Sequence, residues 1–229
     1  ASAGMVDVPV KKLPRIAVIS SGDELIPVSE KPAPHQIRRS NVHMICARLK
    51  ELGIEAQDFH IADEKEHIRE TFESISLDFD VLMMSGGVSK GSFDYIPGIL
   101  DELGFEKLFH GVQQRPGKPL WTGRKCDKMV FAFPGNPVST LACFHQYFIP
   151  WLHLSIGSKS NKKMKIRLKK EVNFKPDLTY YAQAMVDFNE EGICEAEVVH
   201  GGGSGDMKNP SGMDGFIILP RGKTIYLKG

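Results

Sequence analysis

The sequence predicts an α/β fold: a mostly parallel sheet with helices on both faces, followed by a small all-β domain. Short apolar runs, such as residues 15–19 and 80–84, have the length and composition of buried strands, and segments with apolar residues at helical spacing come between them. This alternation is typical of a parallel sheet covered by helices. After residue 157 the helical spacing ends, and short strands separated by turn residues indicate a sandwich or barrel.

The elements of the α/β part follow one another along the chain. A polar loop leads from the first strand to a helix over about 40–52, which Ser40 or Asn41 can cap. The pattern next predicts a strand at 54–61, a helix around 68–77, the strand at 80–84, a helix at 95–103, strands after 104, at 119–122 and at 129–133, and a long helix over 137–154. Ligands of such sheets bind at the carboxyl ends of the strands.

The boundary between the two parts is marked by a change in composition. The stretch GSKSNK, which begins at Gly157, has the composition of a linker. Beyond it, apolar residues alternate with lysine and arginine, which predicts a half-buried strand with a solvated basic face. A nucleic-acid patch is the less favoured interpretation of this basic run. We therefore expect an α/β domain over residues 13–157 and an all-β domain over residues 158–229.

Composition excludes several classes of protein. The chain has 229 residues, of which 41% are hydrophobic, so it can bury a core. Its net charge of +1 does not indicate the basic surface that binds nucleic acid. No apolar run is long enough for a membrane span, and the first residues lack the pattern of a signal peptide. The four cysteines form no C-x-x-C and the eight histidines show no metal-ligand spacing. These features predict free thiols in a reducing cytoplasm.

Two strand-end loops contain residues suited to a metal or an anion. After the first strand come Ser21, Gly22, Asp23 and Glu24, and the two carboxylates either hold a hard cation such as Mg²⁺ or cap a turn. After the strand at 80–84, SGGVSKGSFD allows backbone N–H groups to converge on an anion. Its spacing excludes a Walker loop and a dinucleotide motif. An ordinary turn is an equally good interpretation of this loop taken alone.

Two further loops share the pattern Pro-Gly-x-Pro. In RPGKPLW, Lys118 is fixed between glycine and proline, and its charge suits the oxygens of an oxyanion such as phosphate. In FPGNPVS, Gly135 can take a backbone angle that other residues avoid, Asn136 suits the N-cap of a helix, and Pro137 suits its first position. A helix that begins there points free N–H groups at an anion. Together, the four loops predict a cleft for a phosphorylated ligand with a metal.

These motifs resemble the molybdopterin molybdenumtransferase family, the MoeA family, which includes the gephyrin E domain. The shared patterns are S-G-D-E-L, S-N opening a helix, S-G-G-V-S-x-G-x-x-D, P-G-K-P and F-P-G-N-P-V-S, in the family's order and over about residues 13–155. The tail resembles the family's C-terminal domain, with Gly203-Ser204 and D-G-F-I-I-L-P. Residues 1–12 resemble the end of the family's N-terminal region, most of which is absent from this chain.

The resemblance implies a function and a set of site residues. It implies insertion of molybdate into adenylylated molybdopterin, with release of AMP, by a cytoplasmic, homodimeric enzyme that uses Mg²⁺. The catalytic residues carried over are Glu24, Asp94 and Lys118, with Glu24 and Asp94 as metal ligands. The ligand-binding residues carried over are Ser21, Gly22, Asp23, Asn41, Gly86, Gly87, Val88, Ser89, Gly91, Pro116, Gly117, Pro134, Gly135, Asn136, Pro137, Ser139 and Ser204.

Two positions depart from the family pattern. Arg39 stands where the family commonly has an aspartate before Ser/Thr-Asn. The loss of this carboxylate either weakens metal binding or lets Arg39 bind a phosphate. In the tail, Gln183 takes the place of a family arginine.

Two alternative functions remain open at this stage. The first is an adenylyltransferase on the same fold, acting one step earlier on molybdopterin, although such enzymes usually contain G-G-T-G and lack the β tail. The second is a non-catalytic module that binds molybdopterin or acts as a scaffold, which the replacement at Arg39 slightly favours.

Overall fold

The computed structural model describes residues 2–88, 95–158, 163–199 and 212–229. The helices are α1 (Ser40–Glu51), α2 (Lys65–Asp78), α3 (Ile96–Glu102), α4 (Pro137–Cys143) and α5 (Ile149–Ser155), with a π-helical turn (Phe144–Phe148) between the last two. The strands are β1 (Ile16–Ser21), β2 (Leu25–Ile26), β3 (Ile37–Arg38), β4 (Gln57–Ile61), β5 (Val81–Ser85), β6 (Glu106–His110), β7 (Gln114–Arg115), β8 (Trp121–Lys125), β9 (Lys128–Phe133), β10 (Arg167–Leu168), β11 (Val172–Asn173), β12 (Thr179–Phe188), β13 (Cys194–Val198), β14 (Gly215–Leu219) and β15 (Ile225–Tyr226).

The main sheet has six strands in the order β4-β1-β5-β9-β8-β6. The first four are parallel, whereas β8 runs antiparallel to β9 and β6 antiparallel to β8. The predicted mostly parallel sheet is therefore confirmed. Because β1, β5 and β9 are neighbours that run the same way, the loops that follow them leave the sheet at one edge. The amino end of β8 lies at this edge too, since Trp121 pairs with Ala132 near the end of β9.

Helices cover both faces of this sheet, as the sequence predicts. Alternate residues of a strand point to opposite faces. In β1, Ile16 and Val18 pack with α1 and with the π-helical turn, whereas Ala17 and Ile19 pack with α2 and α3. All six residues of β1 and all five of β5 are buried. The near-continuous apolar composition of these strands follows from burial on both sides.

The long helix predicted over 137–154 is interrupted by a π-helical turn. This turn, Phe144–Phe148, lies directly before α5, which has a proline in its first turn. Pro150 has no N–H to donate, and its ring would clash with the carbonyl four residues earlier in a regular α-helix. The wider π-helical turn avoids both the missing hydrogen bond and the clash of the proline ring. Three of its five residues are Phe or Tyr.

The start of α1 also differs from the prediction. Neither Ser40 nor Asn41 caps this helix, because Arg39 occupies the N-cap position and its side chain makes no capping hydrogen bond. Asn41 Nδ2 instead donates to Ser85 Oγ and to Gly135 O, at 2.7 Å each. The asparagine therefore connects the first turn of α1 to the ends of β5 and β9.

The tail forms a second sheet that also reaches back to the α/β part. Its path is β10-β13-β12-β14, with a small pair, β11-β15, beside it. The short strand β7 joins β12 in parallel, with Thr179 opposite Gln114 and Tyr180 opposite Arg115. The connection between β6 and β8 is thus held by the tail as well as by the main sheet. The exact boundary between the two parts, at residues 157 and 158, stays a prediction.

No helix in the described ranges combines the length and the apolar character needed to cross a bilayer. All four cysteines are free. Burial raises the pKa of Cys143 to about 12, and burial with the nearby Asp58 charge raises that of Cys46 to about 11, so both remain thiols at neutral pH.

Candidate functional site

A cleft of about 650 Å³ opens at the carboxyl edge of the main sheet. It is lined by the ends of β1 and β5, by the segment of β2 and β3, by the amino end of α1, and by the turn that begins α4 after β9. We call it the carboxyl-edge cleft. The residues predicted from the sequence that line it are Ser21, Glu24, Asn41, Gly86, Gly135, Asn136 and Pro137.

Other predicted site residues lie near this cleft without lining it. Some belong to the same loops, namely Gly22, Asp23, Gly87, Val88, Pro134 and Ser139. The side chain of Val88 is buried in the core, so only its backbone is free to face a ligand. The residues Pro116, Gly117 and Lys118 belong to the loop between β7 and β8. Four predicted residues, Ser89, Gly91, Asp94 and Ser204, lie outside the described residues.

The Pro-Gly-Asn-Pro turn begins α4 as the sequence predicts. Asn136 occupies the N-cap, and its Oδ1 accepts from Ser139 N at 3.0 Å and from Ser139 Oγ at 3.2 Å. Pro137 lies in the first turn, where its missing N–H costs nothing. Thr140 Oγ1 donates to Pro134 O at 2.7 Å and fixes the turn from the other side. The start of this helix is therefore held by three side-chain hydrogen bonds, and its first residues line the cleft.

Gly135 does not use the backbone freedom that the sequence suggests. Its φ is not in the left-handed region, in contrast to Gly86 (φ 105°) and Gly87 (φ 67°). A Cβ atom on Gly135 would lie 3.7 Å from Gly86 Cα, which is an ordinary contact. The backbone angle at position 135 therefore does not require glycine. The two positive-φ glycines that follow β5 carry the backbone conformation that only glycine adopts readily.

The loops that follow β1 and β4 carry three carboxylates, those of Asp23, Glu24 and Asp63. Gly22 has φ 138°, and a Cβ there would lie 2.5 Å from Glu24 Oε2, so glycine lets the Glu24 carboxylate fold back against the loop. Asp63, which follows β4, donates its N–H to Asp23 Oδ1 at 3.3 Å. Partial burial and the Glu24 charge raise the pKa of Asp63, against a smaller lowering by its hydrogen bond with Ser21. A cation at this point would relieve the mutual repulsion.

Besides Gln36 and Ser85, which line the cleft, Asp63 is a residue near the site that sequence reasoning missed. It follows a strand of the parallel sheet, as Glu24 does, and this position is the only signal that was available. Among the described residues, no group of three or more His, Cys, Asp or Glu side chains is close enough to hold a metal ion. The metal site predicted at Glu24 and Asp94 stays a prediction, because Asp94 is not described.

The loop that bears Lys118 is fixed by a buried polar network. Gln114 Nε2 donates to Pro116 O at 2.9 Å, and Tyr147 Oη donates to Gln114 Oε1 at 2.5 Å. Gly117 (φ 89°) is buried against Cys143 of α4. Lys118 itself is exposed and does not line the carboxyl-edge cleft. It lies beside the amino end of β8, so it shares the edge of the sheet with the cleft.

The fold places the chain among α/β proteins with a mainly parallel sheet, and its cleft lies where parallel strands end, which is the usual ligand position in such sheets. Residues 17–154 match the family described as "Probable molybdopterin binding domain". The chain therefore belongs to this family, and the resemblance found in its motifs is confirmed.

Known proteins similar to the chain bear related names. It is 36% identical to a molybdopterin molybdenumtransferase of Synechocystis sp., over 100% of this chain and 57% of that protein. It is 29% identical to the protein of the same name from Bacillus subtilis, over 100% of this chain and 54% of that protein. The crystal structure of a molybdopterin biosynthesis MoeA protein from Pyrococcus horikosii superposes with a TM-score of 0.79 at 29% identity, over 95% of this chain and 52% of that one. The chain thus spans about half the length of the relatives it matches.

Proposed function

We propose that this chain is the part of a molybdopterin molybdenumtransferase that binds adenylylated molybdopterin, so that molybdate is inserted and AMP is released. The observation that carries the proposal is the meeting of Glu24, from the loop after β1, Asn41, from the first turn of α1, and Asn136, from the N-cap of α4, around one cleft. The names of its relatives support the same reaction.

The residues in and near the cleft suit both a phosphorylated ligand and its metal ion. The carboxylates of Glu24, in the cleft, and Asp63, near it, are suited to Mg²⁺, since hard cations prefer carboxylate oxygens. When bound, the cation would neutralise and polarise the phosphoanhydride. The cleft also contains the amino ends of α1 and α4, whose backbone N–H groups favour an anion. Lys118, at the same edge, is proposed to attract molybdate, which is an oxyanion substrate.

We propose further that the enzyme is a cytoplasmic homodimer that requires Mg²⁺. The family resemblance supports these points, together with the four free cysteines. Size-exclusion chromatography with light scattering tests the dimer, and the activity measured with and without Mg²⁺ tests the metal.

A three-way assay tests the proposed reaction on the full-length gene product. Adenylylated molybdopterin with molybdate and Mg²⁺ is expected to give AMP and molybdenum cofactor. Formation of adenylylated molybdopterin from ATP and molybdopterin would identify an adenylyltransferase instead. Binding of molybdopterin without either reaction would identify a non-catalytic module.

Glu24→Gln is expected to raise the Mg²⁺ concentration needed for half-maximal AMP release by about tenfold or more. The amide keeps the shape of the side chain but removes the charge that the cation requires. Titration of Mg²⁺ in the AMP-release assay measures the effect. Glu30→Gln, on the nearby loop between β2 and β3, is the matched control and is expected to leave the titration unchanged. An unaltered titration for Glu24→Gln would remove Glu24 from the proposed metal site.

Asn136→Ala is expected to lower the free energy of unfolding by about 1 kcal/mol, because the N-cap of α4 is lost. It is also expected to reduce the rise in melting temperature that AMP and Mg²⁺ induce, since the first turn of α4 borders the cleft. Thermal unfolding with and without ligand measures both effects.

The matched control for this variant is Asn189→Ala. Asn189 Oδ1 accepts from Glu191 N and Ile193 N in a turn of the tail, so its loss removes a similar capping interaction far along the chain. The control is expected to keep the full ligand-induced rise. If Asn136→Ala keeps it as well, the turn has only a structural role.

A further inference from the structure

Arg39 is a cationic residue that faces the carboxyl-edge cleft. It occupies the N-cap of α1, and its side chain is only 16% exposed although it carries a full charge. Buried arginines are normally paired through several of their donors. The partners of Arg39 therefore show what the side chain is placed to do.

The guanidinium of Arg39 is held at one end. Its Nη2 lies 3.5 Å from Asp58 Oδ2 on β4, and Asp58 does not line the cleft. Its Nε is buried and has no hydrogen-bond partner in the described part of the chain. The adjacent Arg38 differs, because its Nε donates to Val28 O at 3.0 Å and Glu30 O at 3.2 Å.

A second polar atom in the same cleft also lacks a partner. Asn41 Nδ2 is fully used by Ser85 Oγ and Gly135 O, whereas the buried Oδ1 accepts no hydrogen bond from the described residues. Buried polar atoms without partners are rare in folded proteins. A bound molecule would satisfy both atoms if it presented an acceptor to Arg39 Nε and a donor to Asn41 Oδ1.

The charge around Arg39 and the first turn of α1 favours an anionic acceptor. The first turn of α1 contains no acidic residue, and no side chain caps its free N–H groups. The positive end of the helix and the guanidinium therefore act on the same region of the cleft. The carboxylates that face them are Glu24 in the cleft and Asp58, which is already paired with Arg39.

We propose that Arg39 is a specificity-determining residue, which donates a charge-assisted hydrogen bond from Nε to a phosphoryl oxygen of the ligand. Asp58 acts as a positioning residue that holds the guanidinium through Nη2. Asn41 Oδ1 accepts from a neighbouring O–H or N–H of the same ligand. The proposal rests on the proposed function in so far as the ligand of this cleft is phosphorylated.

The test compares AMP with adenosine, which differ only in the phosphate, by calorimetry on the full-length gene product. Wild-type protein is expected to bind AMP more tightly than adenosine. Arg39→Gln is expected to weaken AMP binding by about tenfold or more and to leave adenosine binding unchanged, because hydrogen bonds to charged groups are stronger than neutral ones. Equal affinity of the wild type for the two probes, or no binding of either, would overturn the proposal.

Two further variants separate recognition from general effects. Arg48→Gln removes the same charge near the other end of α1, where Arg48 pairs with Glu51, and is expected to leave both affinities unchanged. Arg39→Lys keeps the charge but cannot reproduce the planar fork of the guanidinium, so it is expected to recover the AMP affinity only in part. If the Arg39→Gln variant does not fold, the Arg39→Lys variant is used for the same comparison of AMP and adenosine affinity. An equal loss of AMP and adenosine affinity, or no loss in either Arg39 variant, would show that Arg39 only supports the fold.

The outcome is separable from that of the proposed function. If the wild type discriminates AMP from adenosine through Arg39 but releases no AMP from adenylylated molybdopterin, the proposed reaction fails and the assignment of Arg39 stands. If AMP is released normally and the Arg39 variants bind AMP as the wild type does, the assignment fails and the reaction stands.

Discussion

Gly117→Ala is expected to lower the free energy of unfolding by roughly 3 kcal/mol. Gly117 has φ 89°, so alanine would be strained there by about 1–3 kcal/mol. Its Cβ would also lie 2.5 Å from Cys143 Sγ and 2.9 Å from Gln114 Nε2, both in a packed network. Overpacking of this kind typically costs about 1–3 kcal/mol more. Urea unfolding measures the loss.

Gly111→Ala is the matched control for the steric part of this effect. Gly111 lies in the same connection and has φ 84°, but a Cβ there meets only Lys118 O at 3.8 Å. We expect the control to lose only the conformational part, about 1–3 kcal/mol. An equal loss for the two variants would mean that the loop bearing Lys118 is not packed tightly on α4. A larger loss for Gly117→Ala supports a loop whose position is set by α4.

Phe72→Ala is expected to cost about 4 kcal/mol. Phe72 lies on α2, is fully buried, and packs against the face of the sheet that α2 and α3 cover. Its removal loses the burial of a large aromatic side chain and leaves a cavity, for which measured costs are about 3–5 kcal/mol. The midpoint of urea unfolding is expected to fall without a change in cooperativity.

Leu77→Ala provides the comparison on the same helix. The sequence pattern leaves open whether Leu77 belongs to the apolar face of α2, but its side chain is 75% exposed. Its replacement is therefore expected to change stability by less than about 0.5 kcal/mol. A large loss for Leu77→Ala, or a small one for Phe72→Ala, would contradict the placement of α2 on the sheet.

Much of the fold could be predicted because its strands are buried on both faces. Burial on both sides demands continuous apolar runs, and such runs are visible without any structure, as in β1 and β5. The direction of β8 was harder to predict. Only two residues, Cys126 and Asp127, connect β8 to β9, which forces an antiparallel pair, yet this dipeptide lacks the glycine that usually marks such a turn. The π-helical turn depends on a conflict between Pro150 and its own helix, which apolar spacing does not reveal.

The candidate site was predictable where local chemistry decides the structure. Asn136 caps α4 through atoms three residues away, so its motif is sufficient. The interactions of Asp63 and Arg39 involve residues that are distant in sequence. The charge of Glu24 raises the pKa of Asp63, and Arg39 forms an ion pair with Asp58. The pairing of β1 with β4 brings Asp63 near Glu24, and the packing of α1 on the sheet brings Arg39 near Asp58. No motif in one segment records that arrangement.

The pairing of β7 with β12 has a consequence for how this protein tolerates insertions and deletions. Loops at the edge of a sheet usually vary freely in length among related proteins. Here Thr179 N donates to Gln113 O, and Arg221 Nη1 donates to Gln113 Oε1, while Arg221 also pairs with Asp177. One residue added between β6 and β8 would shift this register and move the Pro-Gly-Lys-Pro segment against α4. The length of that connection is therefore constrained by the tail, although the tail contributes no described residue to the carboxyl-edge cleft.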